Sequence, residues 1–305
     1  MEQGILRGLV AAAFTPFQEN GDLALGQVSK LAQLYRTNRL NGVFINGTTG
    51  EFASLSLSEQ KDIIEAWQEE KDEHLKVGVM LGGTCLKDMQ ELARFSAEQG
   101  MDAAALLSPY YFRPANIGVL VDFVAAIAET VPDLPFYYYH IPSMSRGDFL
   151  MREFLPLAAA RIPNLVGIKY SHYNIMDFQA ACLFEDGRYD MLWGTDEALL
   201  SGLVAGASGA IGSTYNYAAP LYHDLLDCYE KKELDKARML QGKSVAMVEL
   251  LFKYGGAGVG KAIMNLIGLD CGEVRTPLSG LSLMEHKALE KELKAIDFFD
   301  FCCQL

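Results

Sequence analysis

The sequence is poor in basic residues. Its 305 residues include 26 lysines and arginines against 39 aspartates and glutamates, which gives a formal net charge of −13. Nucleic acids and anionic membrane surfaces attract basic patches, so a chain of this charge without a basic cluster is predicted to bind neither. Half of the residues are hydrophobic, enough for a large core, and the net charge is interpreted as an aid to solubility.

Long hydrophobic runs and targeting segments are also missing. No apolar run reaches the roughly 18 residues that a membrane-spanning helix requires. The first residues, Met1-Glu2-Gln3-Gly4, do not form a basic segment followed by an apolar one, so no signal peptide is predicted. The six cysteines form neither a CxxC pair nor a Cys/His spacing typical of zinc sites, which favours reduced thiols and a cytoplasmic protein.

Motifs for the common cofactors are absent from the sequence. It contains no GxGxxG segment, no P-loop and no nucleophile elbow with a Ser-His-Asp order. The adjacent carboxylates Asp196 and Glu197 have no histidine near them in sequence, which makes them a weak pattern for a metal site. We therefore predict that the protein uses neither a metal ion nor an organic cofactor.

What the sequence does contain is a series of short apolar runs, which are typical of parallel strands buried on both faces. The runs are Leu9–Phe14, Val43–Asn46, Val77–Gly82, Ala103–Leu107, Phe136–His140, Leu165–Lys169, Met191–Gly194 and Gly209–Gly212. Stretches with helical period lie between most of them, and Ser56 with Glu59 forms a capping box. Eight strands alternating with helices predict an α/β fold of the (β/α)8 TIM barrel type. A doubly wound sheet shows the same alternation, but the count of eight favours the barrel.

The strand-like runs stop after Tyr217. Four later stretches are predicted to be helices: Leu221–Leu240, Val245–Leu251, Ala262–Ile267 and Leu283–Ile296. We therefore expect a barrel with the active site over residues 1–222 and a C-terminal helical domain over residues 223–305. No linker rich in Pro or Ser separates the two parts, so close packing is expected.

Polar residues follow the predicted strands, where a barrel of this kind has its active site. Lys169 ends one apolar run. Either its head group reaches solvent, or it lies inside the barrel, where burial disfavours the ammonium and frees the amine to form a Schiff base with a carbonyl. Tyr139 ends the preceding run, and it is either a packing residue or a phenol that relays protons beside Lys169.

Other polar segments have side chains that could bind particular groups of a substrate, such as a carboxylate or hydroxyl groups. The segment Gly47-Thr48-Thr49-Gly50 offers amide and hydroxyl donors that suit a carboxylate, although a capped turn has the same composition. Asp196 and Glu197 could accept hydrogen bonds from sugar hydroxyls or belong to a solvated turn. His140 and His172 are either bases or packed residues close to the site.

Three of these features together resemble a known family. Gly47-Thr48-Thr49-Gly50-Glu51, Tyr139 three residues before Pro142, and Lys169 thirty residues past Tyr139 are similar to the motifs of the pyruvate-dependent class I aldolases. The resemblance implies a barrel with a C-terminal helical domain that assembles as a homotetramer. It further implies that Lys169 forms the Schiff base, Tyr139 relays protons, and Thr48 and Thr49 hold the pyruvate carboxylate. Tyr111 matches a tyrosine that reaches into a neighbouring subunit's site.

Within this family, the segments Phe136–Pro142 and Gly209–Tyr217 are most similar to members that cleave sialic acid. The resemblance then implies cleavage of N-acetylneuraminate to N-acetylmannosamine and pyruvate. The positions that hold the hydroxylated part of that sugar are Ser171, Gly194, Asp196, Glu197 and Ser213. The synthase members of the family carry an arginine for a second carboxylate where this chain has Met144.

One departure and three alternatives stay open. Arg146 stands where the sialic acid-cleaving members commonly have glycine, and we expect it to point outward rather than into the mouth of the site. The alternatives are another pyruvate-dependent aldolase acting on a different keto-sugar acid, an enzyme like dihydrodipicolinate synthase, and a non-catalytic keto-acid sensor. The presence of both Lys169 and Tyr139 weakens the sensor hypothesis.

Overall fold

A computed structural model describes residues 5–305, and in this range eight parallel strands close into one barrel in the order in which they occur along the chain. The strands are β1 (Gly8–Ala12), β2 (Gly42–Ile45), β3 (Lys76–Met80), β4 (Ala103–Leu107), β5 (Phe136–His140), β6 (Leu165–Tyr170), β7 (Asp190–Trp193) and β8 (Gly209–Gly212). The predicted (β/α)8 barrel is therefore confirmed, with each predicted run shifted by no more than two residues at its ends.

The helices lie around the barrel and after it. They are α1 (Val28–Thr37), α2 (Leu57–Gln68), α3 (Leu86–Glu98), α4 (Ile117–Ala128), α5 (Pro142–Ser145), α6 (Met151–Arg161), α7 (Ile175–Cys182), α8 (Leu199–Ala205), α9 (Tyr215–Glu230), α10 (Leu234–Tyr254), α11 (Ala257–Leu266) and α12 (Leu283–Ala295). The predicted capping box is present at the start of α2, where Ser56 accepts from the Glu59 N–H and the Glu59 side chain accepts from the Ser56 N–H. No helix between residues 5 and 305 combines the length and the apolar character needed to cross a membrane.

Strand β4 shows why the apolar runs form barrel strands, since all five of its residues are buried. Successive side chains of a strand point to opposite faces. Ala103, Ala105 and Leu107 belong to the cluster that fills the barrel, while Ala104 and Leu106 pack in the layer against the helices. A strand in this position therefore needs apolar residues on both faces, which produces a continuous run rather than an alternating pattern.

The same alternation positions two polar side chains inside the barrel. Tyr139 of β5 pairs with Lys169 of β6, which in turn pairs with Leu192 of β7. Tyr139 and Leu192 both belong to the cluster that fills the barrel. Lys169, at the same level of the sheet, faces the same interior. Both polar residues lie near the carboxyl ends of their strands, the end at which barrels carry their active sites.

The boundaries predicted for the C-terminal helices are partly wrong. α9 and α11 begin at Tyr215 and Ala257, six and five residues before the predicted starts, and two helix breaks are misjudged. The predicted helix Leu221–Leu240 contains a break, because α9 ends at Glu230 and α10 begins at Leu234. Lys232 has a left-handed backbone with φ 62°, and its N–H bonds back to the Tyr229 carbonyl and closes the helix. The charged sequence there contains no glycine or proline to mark this end.

The second error concerns Val245–Leu251, which belongs to the same long helix as the residues before it. The sequence Gly242-Lys243-Ser244 interrupts the apolar pattern, yet α10 continues through it. Ser244 is fully buried and its hydroxyl bonds to Tyr222 and to the Asp196 carbonyl, so tertiary contacts stabilise the helix at a locally unfavourable point. The domain division after residue 222 falls within α9 and stays a prediction.

The C-terminal helices pack directly on the barrel. The amide of Asn216 in α9 donates to the Ala12 carbonyl at the end of β1, at 2.7 Å. Gly260 of α11 lies so close to the ring of Phe14 that a Cβ atom at this position would be 2.5 Å from the ring. This close approach places α11 across the carboxyl-end face of the barrel, where it forms part of the site described next.

Candidate active site

A cavity of about 290 Å³ opens at the carboxyl ends of the strands. It brings together nine of the ten residues singled out in the sequence analysis as catalytic or substrate-binding. These nine are Thr48, Thr49, Tyr139, Lys169, Ser171, Gly194, Asp196, Glu197 and Ser213. They come from the ends of five different strands, so only closure of the barrel places them in one chamber.

Lys169 is the central cationic side chain of this cavity. The residue is only 4% exposed, so its head group does not reach bulk solvent. Its Nζ lies 4.1 Å from the centre of the Tyr139 ring and 4.4 Å from the centre of the Phe44 ring. Among the ion pairs of residues 5–305, none includes Lys169. A buried amine held by aromatic faces rather than by a carboxylate is suited to attack a carbonyl carbon.

The loop after β2 forms one wall of the cavity. Thr48 and Thr49 line the chamber, and the loop turns back on itself through a bond from the Glu51 N–H to the Thr48 carbonyl at 3.1 Å. Thr15 donates its hydroxyl to the Gly50 carbonyl at 2.7 Å. The loop therefore holds two residues that carry hydroxyl groups in the cavity wall, a composition that suits a small carboxylate.

Asp196, which follows β7, also lines the cavity, and one of its oxygens accepts two hydrogen bonds. Its Oδ2 accepts from the Thr214 N–H at 2.9 Å and from the Thr214 hydroxyl at 2.7 Å. The other oxygen, Oδ1, is buried and accepts no hydrogen bond of ordinary geometry from the residues that the structure describes. Burial raises the pKa of Asp196 to about 6, and the bonds from Thr214 act in the opposite direction. A free, buried acceptor in a cavity wall suits a hydroxyl group of a ligand.

Glu197 extends the same wall toward the mouth of the cavity. The phenol of Tyr173, which is exposed, donates a hydrogen bond to Glu197 Oε1. Partial burial and this carboxylate raise the pKa of Tyr173 to about 12, so the phenol stays protonated and remains a donor. Tyr173 was not predicted from the sequence, although it follows Ser171 by only two residues.

The sequence analysis also missed the residues that support Asp196 from behind. The Thr214 hydroxyl is 2.6 Å from the Tyr222 hydroxyl, which is 2.8 Å from the Ser244 hydroxyl. Ser244 donates to the Asp196 backbone carbonyl at 3.1 Å. This buried network ties α9 and α10 to the turn that carries Asp196. Thr214 adjoins Ser213 in sequence and could have been found by asking what satisfies a buried aspartate.

A third missed group is the wall contributed by the C-terminal helices. The residues of this wall that line the cavity are Val248, Leu251, Phe252, Gly256, Ala257 and Gly260. They are apolar or lack a side chain, and they lie far from the strands in sequence. Nothing in their local pattern distinguishes them from ordinary helix residues.

Tyr111 is the one predicted site residue that lies outside this cavity. It is 77% exposed and its ring packs edge-on against the exposed ring of Phe112. Arg146 is also exposed and does not line the cavity, as expected, and its backbone has a left-handed φ of 54°. Two large aromatic rings exposed side by side are unusual for a surface that faces only water.

The two histidines considered as bases do not line the cavity. His140 is buried at the end of β5, where its ring centre is 4.9 Å from that of Tyr170 and 5.7 Å from that of His172. Burial, together with His172, lowers the pKa of His140 to about 3, so it is neutral at ordinary pH. Of the two interpretations of His140, a base or a packed residue close to the site, the packed residue is correct. Within the described part of the chain, no three His, Cys, Asp or Glu side chains converge as a possible metal-ligand set.

Comparison with known proteins gives a consistent result. The model of the dihydrodipicolinate synthetase family matches residues 5–296. The N-acetylneuraminate lyases of Rattus norvegicus and Homo sapiens are each 36% identical to this chain over 301 residues, which cover 97% of this chain and 94% of either relative. The solved structure of Proteus mirabilis N-acetylneuraminate lyase is 34% identical, with a TM-score of 0.93 over 97% of this chain and 100% of that one.

Proposed function

The chain belongs to the dihydrodipicolinate synthetase family, and we propose that it is a lyase that cleaves N-acetylneuraminate to N-acetylmannosamine and pyruvate through a Schiff base. The observation that carries this function is the buried amine of Lys169, which lies in the cavity beside Tyr139 and forms no ion pair with a carboxylate of residues 5–305. The relatives named N-acetylneuraminate lyase match nearly the whole chain, so the site and the similarity point to the same reaction.

The roles at the reacting centre follow from the chemistry of an amine beside a phenol. In its neutral form Lys169 adds to the C2 carbonyl of the open-chain sugar, and loss of water gives an iminium ion. The phenol of Tyr139 passes its proton to the substrate carboxylate and takes the proton of the C4 hydroxyl, while the C3–C4 bond breaks and its electron pair moves into the enamine. The aldehyde, N-acetylmannosamine, leaves. The enamine takes a proton at C3, and water hydrolyses the iminium ion to release pyruvate and the free amine.

The two ends of the cavity are assigned to the two halves of the substrate. Thr48 and Thr49 hold the carboxylate of the pyruvate half, because their loop supplies the hydroxyl donors of the wall beside Lys169. Asp196 and Glu197, with Ser171, Gly194 and Ser213, hold the hydroxylated half. The buried Oδ1 of Asp196, which accepts no hydrogen bond of ordinary geometry from residues 5–305, supports this assignment, since such an acceptor gains from a hydroxyl donor.

The charge of the distal wall disfavours the synthase alternative. A second carboxylate on the substrate requires a cation near the site, and Met144 carries no charge. Asp196 and Glu197 bring acidic groups instead, which repel a carboxylate unless they are protonated. A non-catalytic keto-acid sensor would have no use for a proton-relaying phenol beside Lys169, so the pairing of Lys169 with Tyr139 disfavours this alternative.

We further propose that the enzyme works in the cytoplasm as a homotetramer. The adjacent exposed rings of Tyr111 and Phe112 support assembly, because they are the kind of surface that a second copy would cover. In such an assembly Tyr111 contributes to the site of a neighbouring subunit. The six cysteines, which all lie within the described residues, are free thiols, as is usual in a reducing compartment.

A pyruvate-release assay tests the function directly. The protein is incubated with N-acetylneuraminate and with a panel of other keto-sugar acids, and the pyruvate released from each is measured. In the reverse format, condensation of pyruvate with aspartate semialdehyde is measured. We expect pyruvate release from N-acetylneuraminate and no useful condensation with aspartate semialdehyde. Efficient turnover of the semialdehyde, or preferential cleavage of another acid, would contradict the proposal.

A further inference from the structure

A second buried lysine, Lys261, is held in a different way from Lys169. Its Nζ lies 2.8 Å from Glu51 Oε1, and the two side chains are 2% and 0% exposed. Among the ion pairs of residues 5–305, no other has both partners buried to this degree. Lys261 also donates to the Glu273 carbonyl at 3.0 Å and lies 4.1 Å from the centre of the Phe17 ring.

Glu51 connects this pair to the substrate-binding loop. It follows Gly50 directly, its backbone has a left-handed φ of 58°, and its N–H bonds to the Thr48 carbonyl. The second carboxylate oxygen, Oε2, accepts from the Arg275 N–H at 2.9 Å. The Glu51 carboxylate thus binds two groups of the C-terminal part of the chain, one through each oxygen, while its own backbone closes the turn that carries Thr48 and Thr49.

The helix that carries Lys261 also forms part of the cavity wall. Ala257 and Gly260 of α11 line the chamber, and Lys261 follows Gly260 directly. One helix therefore contacts the reacting chamber through its small residues and fixes the opposite loop through its lysine. Any shift of α11 relative to β2 would move the donors of the loop relative to Lys169.

The energetics of a buried ion pair favour a geometric role over a purely stabilising one. Removing two charges from water is costly, and apolar side chains of similar size stabilise a core as well or better. What the pair provides is a defined position, because separating two buried charges would leave each of them uncompensated in the interior. That position is set at the base of the loop on which Thr48 and Thr49 lie.

We propose that Lys261 is a positioning residue which, through Glu51, fixes the Thr48–Thr49 loop and thereby sets the affinity of the site for the carboxylate of a 2-keto acid. The proposal rests on the proposed function, in which this loop holds the pyruvate carboxylate. It assigns Lys261 no contact with the substrate and no part in bond breaking.

The test compares two ketones that differ in the group the loop would hold. Pyruvate and acetone both present a methyl ketone to Lys169, but acetone lacks the carboxylate. Each is trapped on Lys169 with borohydride, and the labelled peptide is measured by mass spectrometry over a range of ketone concentrations. For Lys261→Met we expect the half-saturating pyruvate concentration to rise about 10- to 100-fold, the scale of one or two lost charge-assisted hydrogen bonds. The rate of acetone trapping should stay within about twofold of wild type, because acetone makes no use of the loop.

Two further variants separate positioning from folding. Lys253→Met is the control. It breaks the exposed ion pair in which Lys253 of α10 lies 2.7 Å from Glu292 of α12, and it should leave the trapping of both ketones unchanged. If Lys261→Met fails to fold, the double variant Glu51→Gln with Lys261→Met removes both charges together and avoids a buried unpaired carboxylate. The double variant should show the same selective weakening of pyruvate trapping, with acetone trapping unchanged.

The outcomes are distinct. An equal loss of pyruvate and acetone trapping would make Lys261 a general structural residue and overturn the inference. So would a folded double variant that binds pyruvate like wild type. If wild type traps acetone but never pyruvate on Lys169, the proposed function itself fails, and this inference fails with it.

Discussion

Tyr139 and Lys169 lie directly opposite each other on neighbouring strands, with the lysine nitrogen 4.1 Å from the centre of the phenol ring. The pairing register of β5 and β6 fixes this contact, since a shift of one residue would turn one of the two side chains out of the barrel. The contact brings a nucleophile and a proton-relaying group together without relying on a flexible loop.

The first prediction concerns the covalent intermediate. Borohydride treatment in the presence of pyruvate should add a pyruvyl-derived mass to the peptide that carries Lys169. Lys261, the other buried lysine, should remain unlabelled, because it is paired with Glu51. Lys169→Arg should abolish lyase activity, since a guanidinium is not a nucleophile at neutral pH. Labelling of another peptide, or of none, would refute the assignment of Lys169.

The second prediction concerns the phenol of Tyr139. Tyr139→Phe keeps the ring against Lys169 and against Phe44 and removes only the hydroxyl. We expect kcat to fall by roughly 10²- to 10⁴-fold, the usual contribution of a positioned acid or base. Pyruvate trapping on Lys169 should become slower but persist. Tyr137→Phe is a matched control, because that phenol bonds to Asp190 deep in the barrel and does not line the cavity. An unchanged kcat in Tyr139→Phe would show that another group relays the proton.

The third prediction separates the two halves of the substrate. Glu197→Ala should lower kcat/KM for N-acetylneuraminate by about 10- to 100-fold, because a charged hydrogen-bond acceptor is lost. Pyruvate trapping should be nearly unchanged, since Thr48 and Thr49 hold that half. Tyr173→Phe, which removes the donor to Glu197, should give a smaller effect in the same direction. Equal loss of pyruvate trapping in Glu197→Ala would show that Glu197 is structural.

The fourth prediction concerns pH and Asp196, whose two oxygens both act as charged hydrogen-bond acceptors only when the carboxyl group is ionised. Its pKa is about 6, so kcat/KM for the sugar should fall as the pH is lowered through 6. Thr214→Val removes the hydroxyl bond that stabilises the ionised form, so the pKa should rise and the acidic limb should move to higher pH by about one unit. Thr214→Ser, which keeps the hydroxyl, should leave the limb in place. If kcat/KM falls at the same acidic pH in wild type and in both variants, the titration of Asp196 is not the cause of that fall.

The fifth prediction concerns stability rather than activity. The pKa of His140 is about 3 in the folded state and about 6.5 in an unfolded chain, so the unfolded state binds the proton more readily between these values. This residue therefore lowers the free energy of unfolding progressively as the pH falls below 6.5. His140→Phe should remove this loss and raise stability at pH 5, relative to pH 8, by about 1–2 kcal/mol.

Denaturant unfolding of wild type and variant at pH 5 and pH 8 measures this difference. The ring of His140 is surrounded by Tyr138 and Tyr170, so phenylalanine suits the site. His74→Gln, at an exposed histidine, is the control and should change the pH dependence little. An identical pH dependence in His140→Phe and wild type would show that His140 binds a proton as readily in the folded protein as in the unfolded chain.

The fold was largely predictable because barrel strands leave a local signature. β4 and β5 have the predicted boundaries, since strands buried on both faces must be apolar throughout. The helices after the barrel were harder to delimit. α10 passes through Gly242 because Ser244 bonds to Asp196 and Tyr222, and contacts between distant parts of the chain do not appear in a local pattern.

Period and composition are local properties of the chain, and they were enough to predict the eight strands, the donor-rich loop at Thr48 and Thr49, and the placement of Tyr139 and Lys169 at strand ends. The residues that support these elements were visible only in the folded protein. Arg275 and Glu51, whose hydrogen bond joins positions 224 apart, have no shared pattern in the sequence. Their contact exists because closure of the barrel and packing of α11 bring the two segments together. A buried charge needs a hydrogen-bond or ion-pair partner, and this need can be read from the sequence. Which residue becomes the partner depends on the segments that the fold brings next to it.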